Sequence, residues 1–413
     1  MRLLEKIFLI LLAAVAAASA ALLQNGNFEF PPSNIKPNSS TPLLPLSKNN
    51  TIPGWSFDGT VYYVTAGPSI WLPDNGHAIQ LGLNGVIRQT IRLTSIYAQY
   101  ILTFSITSVN GSCKAPAAVL NVSFVDSWFY KSSVFLVEGK YGRKSWESHA
   151  CSLGRMAGEG DPVVLELRSQ SVEADHNVTC GPVVDTAILK RFNPMGGYAD
   201  EFVNGGFEDG PIFIKNSSEG ILLEPTEDLT NTPLFEWAVF GAVKYVDSKH
   251  YLVPEGNAAV EIVSTIGAIR TILLLKEGSS YRLEFVMGVP IDSCTGELIL
   301  GVQAGPTSQN FTLPSNGTGY SKKFSLGFRA ETNLTSIGFM NIQGGETSDH
   351  MICGPLVDNV ICGPLVDNVS ISASLRLQVG LQQLLLLPSL LLAAVLQINK
   401  EFPRNFPFSD LVI

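Results

Sequence analysis

The chain has 413 residues, of which 46% are hydrophobic and 15% charged, and its net charge is −9 at pH 7. This apolar content supports buried cores and excludes intrinsic disorder as the default interpretation. The negative charge, without a cluster of Lys and Arg, disfavours nucleic acid as a partner and suits a neutral glycan or a basic protein better than a polyuronate. Frequent Gly (37) and Pro (24), without long helical periodicity, predict short strands joined by turns.

The first 20 residues are typical of a cleavable secretory signal. Arg2 and Lys6 begin the segment, an apolar run follows, and Ala18-Ser19-Ala20 forms a small-residue cleavage site. A membrane anchor is the weaker alternative, because the run is shorter than the ~20 residues that span a bilayer. Ten Asn-x-Ser/Thr sequons agree with a glycosylated secreted protein: Asn38, Asn49, Asn110, Asn121, Asn177, Asn216, Asn310, Asn316, Asn333 and Asn368.

Two long stretches of the chain repeat each other in order. Asn25-Gly26-Asn27-Phe28-Glu29 returns 179 residues later as Asn204-Gly205-Gly206-Phe207-Glu208, and Cys180 to Asp185 returns 173 residues later as Cys353 to Asp358. Residues 75–81 likewise return as 255–261. This period is far longer than that of a solenoid repeat, so each copy should own a core. The predicted domains are a signal (1–20), a first unit (21–190), a linker (191–201), a second unit (202–372) and a hydrophobic tail (373–413).

Each unit is predicted to be an all-β jelly-roll β-sandwich, giving two in tandem that touch across the short linker. The return of the last strand to the first favours this topology. Aromatic residues present in both copies are expected in the cores: Phe28 and Phe207, Trp55 and Trp237, Tyr63 and Tyr245, Tyr100 and Tyr281, Phe104 and Phe285. In the first unit, runs of β-branched and aromatic residues predict strands at 61–65, 78–81, 86–93, 97–107, 118–125, 163–167 and 183–189.

The cysteines indicate one disulfide in each unit. In the repeat Cys113 matches Cys294 and Cys180 matches Cys353, while Cys151 has no counterpart. Zinc binding is the weaker alternative, because the sequence has no CxxC motif and no close Cys/His cluster.

A nine-residue block, Ile352 to Val360, recurs without change as Ile361 to Val369. Such identity indicates a recent tandem slip or an assembly error. If both copies are present, we expect only one to supply the closing strand. The other should bulge out as a loop, with Cys362 competing with Cys353.

The composition changes at Ser372, where small residues lead into a Leu-rich run, 381–398, that Pro388 interrupts. This order resembles a GPI-attachment signal, although such signals end with the apolar run and this chain continues to Ile413. A misread C-terminus and an amphipathic or single-span tail are the alternatives. A membrane therefore enters the prediction only through a C-terminal anchor.

The sequence carries no GxSxG, HExxH, GxxxxGK[ST] or GxGxxG motif, so no catalytic residues are predicted. Paired carboxylates for glycoside hydrolysis stay open, because such a pair need only meet in space. The acids that recur, Glu29 with Glu208 and Asp185 with Asp358, lie on the first and last strands, which are neighbours in a jelly roll. They are candidate ligands of a structural Ca²⁺, or else caps that accept backbone N–H bonds.

Four aromatic residues do not recur in the second copy, and we predict that they bind glycan. A flat ring at a loop or sheet face stacks on the apolar side of a pyranose. These candidates are Trp71, Trp128, Tyr130 and Trp146.

The motifs Asn-Gly-x-Phe-Glu, Pro-Gly-Trp, Val-Lys-Tyr-Val-Asp, Val-Pro-Glu-Gly and Cys-Gly-Pro-x-Val-Asp occur in this order, and several are doubled. Together they resemble the plant cell-wall family named for domain of unknown function 642, over roughly residues 22 to 372. The resemblance implies galactose-binding-like sandwiches in a secreted extracellular-matrix protein, without established catalysis, that associates with wall polysaccharides and pectin methylesterases. Asn25 to Glu29 also looks like the opening of carbohydrate-binding modules in which a matching Glu and a terminal-strand Asp hold structural calcium.

The function predicted from the sequence is therefore non-catalytic binding of cell-wall polysaccharide, with pectin methylesterase as a further partner, outside the cell. No cofactor is predicted to be required, and a structural calcium is the candidate ion. A carbohydrate-active hydrolase or lyase on a jelly-roll scaffold is the alternative, and a surface receptor-like protein is a third.

Overall fold

The computed structural model describes residues 22–32, 42–67, 72, 76–92, 98–108, 119–125, 130–137, 146–155, 162–170, 181–192, 202–215, 220–291 and 293–365. The predicted signal and tail and the pair Cys113 and Cys180 lie outside these residues, as do the sequons Asn38, Asn110, Asn177, Asn216 and Asn368. Among the described residues there is no helix with the length and apolar content to span a bilayer.

The described residues form two all-β sandwiches in tandem, as predicted. The first sandwich contains β1 (Leu43–Pro45), β2 (Ser56–Asp58), β3 (Val61–Thr65), β4 (His77–Leu81), β5 (Val86–Arg92), β6 (Gln99–Ser108), β7 (Val119–Val125), β8 (Tyr130–Leu136), β9 (Trp146–Arg155), β10 (Pro162–Ser169) and β11 (Pro182–Phe192). Its strands β2-β5-β10-β7-β8 form a separate antiparallel sheet.

The second sandwich repeats this plan. It contains β12 (Ile221–Leu223), β13 (Ala238–Phe240), β14 (Val243–Asp247), β15 (Ala258–Ile262), β16 (Ala268–Leu274), β17 (Ser280–Val289), β18 (Thr295–Ala304), β19 (Thr307–Asn316), β20 (Tyr320–Arg329), β21 (Leu334–Gln343), β22 (Gly345–Glu346), β23 (Ile352–Cys353) and β24 (Leu356–Pro364). Strands β13-β16-β21-β18 form its separate sheet, and β19 pairs with β18 at the edge.

One sheet runs through both sandwiches. Its twelve strands lie in the order β1-β3-β4-β11-β6-β9-β12-β14-β15-β24-β17-β20. Each sandwich packs its separate sheet against one half of this long sheet, and a distinct apolar cluster fills each interior. The aromatic residues that recur in the sequence lie in these clusters, as expected, except that Tyr281 is only partly buried.

The motif Asn-Gly-x-Phe-Glu joins the beginning of each unit to its closing strand. In the first unit the Asn25 side chain closes the loop by bonding the N–H and the C=O of Phe30, both at 3.0 Å. A Cβ on Gly26 would lie 2.2 Å from the Ala187 carbonyl oxygen, so only glycine lets the closing strand approach. The Ala187 N–H donates to the Gly26 carbonyl at 2.8 Å, which fastens the two segments.

The second unit repeats this junction contact by contact. A Cβ on Gly205 would lie 2.1 Å from the Val360 carbonyl, and the Val360 N–H donates to Gly205 at 2.8 Å. A buried tyrosine hydroxyl also donates to the phenylalanine carbonyl of the motif in each unit, Tyr63 to Phe28 and Tyr245 to Phe207, at 2.8 Å. The motif therefore recurs because it closes the sandwich.

The tryptophans differ between the two units. The Trp55 indole N–H donates to the Asn25 carbonyl at 3.1 Å. The Trp237 indole N–H has no hydrogen-bond partner among the described residues. Phe235 and Glu236 precede Trp237 where Pro53 and Gly54 precede Trp55, and Glu236 takes a positive φ of 65° in this turn.

The second copy of the repeated block does not bulge out as a loop, contrary to the prediction from the sequence. The first copy supplies Cys353, which is joined to Cys294, and the second copy continues the same strand, with Cys362 opposite Leu283. Cys362 is partly buried against the second core and is a free thiol, whose pKa burial raises to about 12. Ile361 to Pro364 extend β24 because their alternation of side chains fits the existing pleat.

The two copies of Cys-Gly-Pro give a matched test of this arrangement. A Cβ on Gly354 would lie 1.8 Å from the Ile262 carbonyl oxygen, whereas a Cβ on Gly363 would meet nothing within 4 Å. We expect Gly354→Ala to lower the free energy of unfolding by about 2 to 3 kcal/mol, because backbone must move to relieve the clash. Gly363→Ala should change it by less than about 0.5 kcal/mol. Urea unfolding of both variants measures this, and equal losses would show that the second copy closes the sheet.

Candidate functional site

Three carboxylates meet where the second sandwich closes. Glu208 Oε1 accepts the backbone N–H of Asn257 at 2.7 Å, and its Oε2 accepts the Asn257 side-chain amide at 3.1 Å. Asp358 is fully buried and accepts the N–H of Glu255 at 3.0 Å and that of Asn359 at 2.7 Å. The Asn359 amide also donates to the Glu255 carboxylate. Gly256, at φ +73°, leaves the space that Glu208 occupies.

Burial is the main cause that raises the pKa of Asp358, to about 7 from an ordinary 3.8. The two backbone N–H bonds oppose this shift, and the neighbouring charges of Glu208 and Glu255 add to it. The predicted pair Glu208 and Asp358 therefore lies close enough to interact electrostatically, with Glu255 as a third member that the repeat did not single out.

The first sandwich holds the equivalent acids differently. Glu29 Oε2 contacts the His77 Nδ1 atom at 3.1 Å, and the Thr186 hydroxyl donates to the buried Asp185 carboxylate at 3.1 Å. The residue after each aspartate, Thr186 or Asn359, has a positive φ of 49° or 47° and lies at a bulge in the closing strand.

These carboxylates suit Ca²⁺ in the type of ligand, because it takes hard oxygen atoms. They do not yet suit it in number. The oxygens of Glu208 and Asp358 already accept N–H bonds, and the described residues contain no group of three or more His, Cys, Asp or Glu that could hold a metal ion. The capping alternative accounts for the contacts seen, and calcium stays a prediction.

A groove of about 270 Å³ lies on the outer face of the long sheet in the second sandwich. Its floor consists of cross-strand neighbours from β17, β20 and β24: Glu284 is opposite Ser325 and Ile361, and Val286 is opposite Lys323. Asn359 links the groove to the carboxylates described above. We call this feature the sheet-face groove; Phe285 and Phe324 also line it.

The same face of the first sandwich is closed. The register of β6 and β9 places Thr103 and Ala150 where β17 and β20 carry Glu284 and Ser325. Both residues of the first sandwich are buried, and Ala150 packs with the core cluster of the second sandwich. The repeat therefore provides two equivalent faces, of which the described residues leave one open.

A larger cavity, of about 380 Å³, lies beside the Cys294–Cys353 disulfide. Its lining is polar and includes Asn316, Glu346 and His350. Asn316 belongs to a sequon, so a glycan on it would fill this space. The sheet-face groove is the better candidate for an external ligand, because it combines apolar and polar side chains.

The aromatic residues that were predicted to bind glycan differ in their exposure. Tyr130 is 66% exposed on the edge strand β8, so its ring is accessible. Trp146 is 5% exposed and packs with Val64 and Val183 on the outer face of the long sheet, so it offers no ring face and the prediction for it is wrong. Trp71 and Trp128 lie outside the described residues.

The groove residues were missed because the sequence does not show which strands are neighbours. Glu284, Lys323 and Ile361 come from three separate strands. One pattern in the sequence could have indicated them. In β17 the polar residues Arg282 and Glu284 alternate with apolar ones, which indicates that these two side chains point outward.

The raised pKa of Asp358 predicts a dependence of stability on pH. The folded state holds a proton that the unfolded chain releases above about pH 4, so the folded state loses stability as pH rises through about 7. Asp358→Asn should remove this slope, although the amide loses one N–H bond and lowers stability overall. Urea unfolding between pH 4.5 and 8, with chelator present, measures both slopes. Parallel curves for the variant and the natural chain would contradict the assignment.

Comparison with known proteins identifies relatives along most of the chain. The curated Arabidopsis thaliana protein named DUF642 L-galactono-1,4-lactone-responsive gene 2 is 30% identical over 368 residues, which cover 85% of this chain and 95% of that protein. The Arabidopsis thaliana protein TEEBE is 31% identical over 330 residues, covering 77% of this chain and 84% of that protein.

Solved structures show weaker likenesses. The tandem CBM22-1–CBM22-2 domain of Paenibacillus barcinonensis Xyn10C has 14% identity and a TM-score of 0.28, covering 76% of this chain and 94% of that one. TmCBM61 in complex with β-1,4-galactotriose also has 14% identity and a TM-score of 0.28, covering 42% of this chain and 99% of that one. Scores of this size carry no weight for function.

The family model described as "Protein of unknown function (DUF642)" matches twice, at residues 21–190 and 200–372. The two matches fall on the two sandwiches and include both copies of the opening and closing motifs. The chain therefore belongs to the DUF642 family.

Proposed function

We propose that this protein binds a neutral polysaccharide of the plant cell wall in the sheet-face groove, without chemically changing it. The observation that carries the proposal is the composition of the groove. Val286 and Ile361 provide an aliphatic floor, and Ile361 is exposed. Glu284, Lys323, Ser325 and Asn359 surround that floor.

This combination fits a sugar ring. The C–H face of a pyranose packs on aliphatic side chains, and its hydroxyl groups both donate and accept hydrogen bonds. Glu284 accepts, Lys323 donates, and the Ser325 hydroxyl does both. One acidic and one basic side chain leave the groove without a strong net charge, which favours a neutral glycan over a polyuronate.

The position of the groove favours a polymer over a small molecule. It lies on an open sheet face, and the side chains of Glu284, Lys323 and Ser325 are exposed. An internal segment of a polysaccharide can cross such a face and continue in both directions. The resemblance to plant wall proteins supports the proposal that the protein acts in the extracellular matrix, with a pectin methylesterase as a candidate protein partner.

Adjacent lysines on β20 give a matched test of the groove. Lys323 lines it, whereas Lys322 is opposite the buried Met287 and lies over the Phe324 ring at 5.2 Å from its centroid. We expect Lys323→Ala to weaken retention on the bound polysaccharide about tenfold, the effect of losing one charge-assisted hydrogen bond. Lys322→Ala should leave it unchanged. Affinity electrophoresis on a panel of neutral wall polysaccharides, with immobilised pectin methylesterase as a separate arm, measures this. Equal effects of the two variants would remove the groove from the proposal.

Catalysis is tested on the same fractions. Binding alone leaves the number of reducing ends and of unsaturated ends constant over time. Steady release of either kind of end would replace the binding proposal with the hydrolase or lyase alternative.

The predicted calcium is tested separately from the glycan. If Ca²⁺ joins Glu208 and Asp358, it binds the folded state and should raise the melting temperature as its concentration rises. Differential scanning fluorimetry in Ca²⁺ and in chelator measures this, with Glu208→Gln as the variant that should lose the response. Identical melting in Ca²⁺ and chelator would leave the carboxylates as caps.

A further inference from the structure

The second sandwich exposes aliphatic side chains on the outer face of its separate sheet. Thr271, Ile337 and Phe339 point into the core, so the residues between them point outward. Those outward positions include Met340 and Ile342, which are 37% and 44% exposed. Exposed apolar groups that lie together on a sheet mark a surface that something else covers. Ile272, Leu274 and Leu334 are also exposed, toward the other end of the same face, with exposed Arg270 between the two groups.

A sequon asparagine lies beside this apolar surface. Asn310 is on β19, directly opposite Gly301 of β18, and the next strand places Met340 opposite Gly301 on its other side. A Cβ on Gly301 would lie 2.9 Å from Met340 and 3.0 Å from Ile342, so both side chains lean over this position. Phe311, the next residue along β19, is buried, so Asn310 points outward with them.

The first sandwich has a sequon at the same cross-strand pair. Leu120 pairs with Phe135 as Leu300 pairs with Phe311, so the next pair, Asn121 with Val134, matches Gly301 with Asn310. The sequon asparagine of the first sandwich, Asn121, lies on β7, which corresponds to β18. That of the second sandwich, Asn310, lies on β19, which corresponds to β8. An alignment of the two repeats does not reveal this, because Asn121 aligns with a glycine.

Asn121 has apolar neighbours on one side only, because Arg168 of β10 is directly opposite it on the other side. Val134, opposite Asn121, is 53% exposed, and Leu136 is exposed two residues further along the strand. The Ser132 hydroxyl donates to Asn121 Oδ1 at 2.9 Å, which fixes the amide plane and turns its nitrogen away from the serine. The modified atom of a sequon is that nitrogen.

We infer that N-linked glycans on Asn121 and Asn310 cover the outer face of the separate sheet in each sandwich. The innermost N-acetylglucosamine lies on Val134 in the first sandwich and on Met340 and Ile342 in the second. Its ring carries C–H groups and an acetyl methyl, which suit aliphatic side chains, while its hydroxyl groups face water. Gly301 leaves room for this ring on the sheet surface.

The inference requires entry into the secretory pathway, which the predicted signal at 1–20 provides, and it does not depend on the function of the sheet-face groove. According to this inference, the two outer faces of the second sandwich have different roles. The glycan occupies one outer face, and the groove on the opposite outer face stays open for an external polymer.

The test uses the full chain from a secretory host that makes high-mannose glycans. Mass spectrometry of glycopeptides should find Asn121 and Asn310 occupied. Trimming the folded protein to a single N-acetylglucosamine per site should leave the melting temperature and hydrophobic-dye binding unchanged. Complete removal with peptide N-glycosidase should lower the melting temperature by about 2 to 4 °C and increase dye binding.

Asn316→Gln is the matched control, because Asn316 lies in the polar cavity beside the disulfide and away from the apolar surface. Asn310→Gln should reproduce the effect of complete removal, and Asn316→Gln should not. Met340→Ser combined with Asn310→Gln should lower dye binding again, because the exposed apolar group is gone. An unoccupied Asn310, or equal effects of single-sugar trimming and complete removal, would overturn the inference.

Discussion

The pairing of β9 with β12 joins the two sandwiches and determines which of their outer faces are covered. These strands run parallel, with Leu222 opposite His149, and the Glu224 N–H donates to the Ala150 carbonyl at 2.9 Å. Lys131 on β8 and Glu224 form an ion pair at 3.1 Å across the same junction, and both are mostly buried. Because a parallel pair of this length is weak by itself, these polar contacts must supply much of its specificity. The result is one sheet with two interiors.

This junction also explains why equivalent surfaces have diverged. The outer face around Ala150 is buried by the second sandwich, so its residues need only pack, and small Thr103 and Ala150 are enough. The matching face of the second sandwich ends at β20, and there the same positions carry Glu284 and Ser325 beside Lys323. Position along the long sheet, more than the sequence of the repeat, decides which of the two faces stays open in the described residues.

Local chemistry predicted the parts of this fold that depend on local contacts. The opening and closing motifs mark the sandwich ends because Asn, Gly and Phe each make a specific contact there. Strands β8 and β9 were not predicted from the sequence. In β9, Glu147 and His149 lie in an apolar interior, and Glu147 Oε2 is 3.3 Å from His149 Nε2. Their mutual contact and the rings of Phe104 and Phe135 against His149 help to make that burial tolerable, and no local pattern shows it.

The alignment of the repeat also shifts within a strand. The register pairs Tyr62 with Gln80 and Lys244 with Glu261, so Glu261 matches Gln80 structurally, although the sequence pairing set it against Leu81. A one-residue shift moves a side chain to the other face of a sheet, so a charged residue aligned with a core leucine indicates such a shift. Glu261 in fact lies on the outer side, buried, with Lys244 at 4.0 Å and the Gly354 N–H at 3.1 Å.

The two edges of the long sheet, as the described residues form it, carry residues that disfavour further strand pairing. Its terminal strands, β1 and β20, are the structural equivalents of β12 and β9, which join each other. A second copy of the chain could therefore dock head to tail and continue the sheet. Pro45 stands at the β1 position that matches Leu222, so it brings no N–H to such a pairing. On β20, Lys322 and Lys323 would place two ammonium groups at the new junction, where β9 carries Glu147 and Ser148. Natural sheets use proline and lysine on their edge strands to avoid pairing with further strands. The residues that allow β9 to pair with β12 inside the chain are therefore different at the two outer edges, where the same pairing would join one molecule to the next.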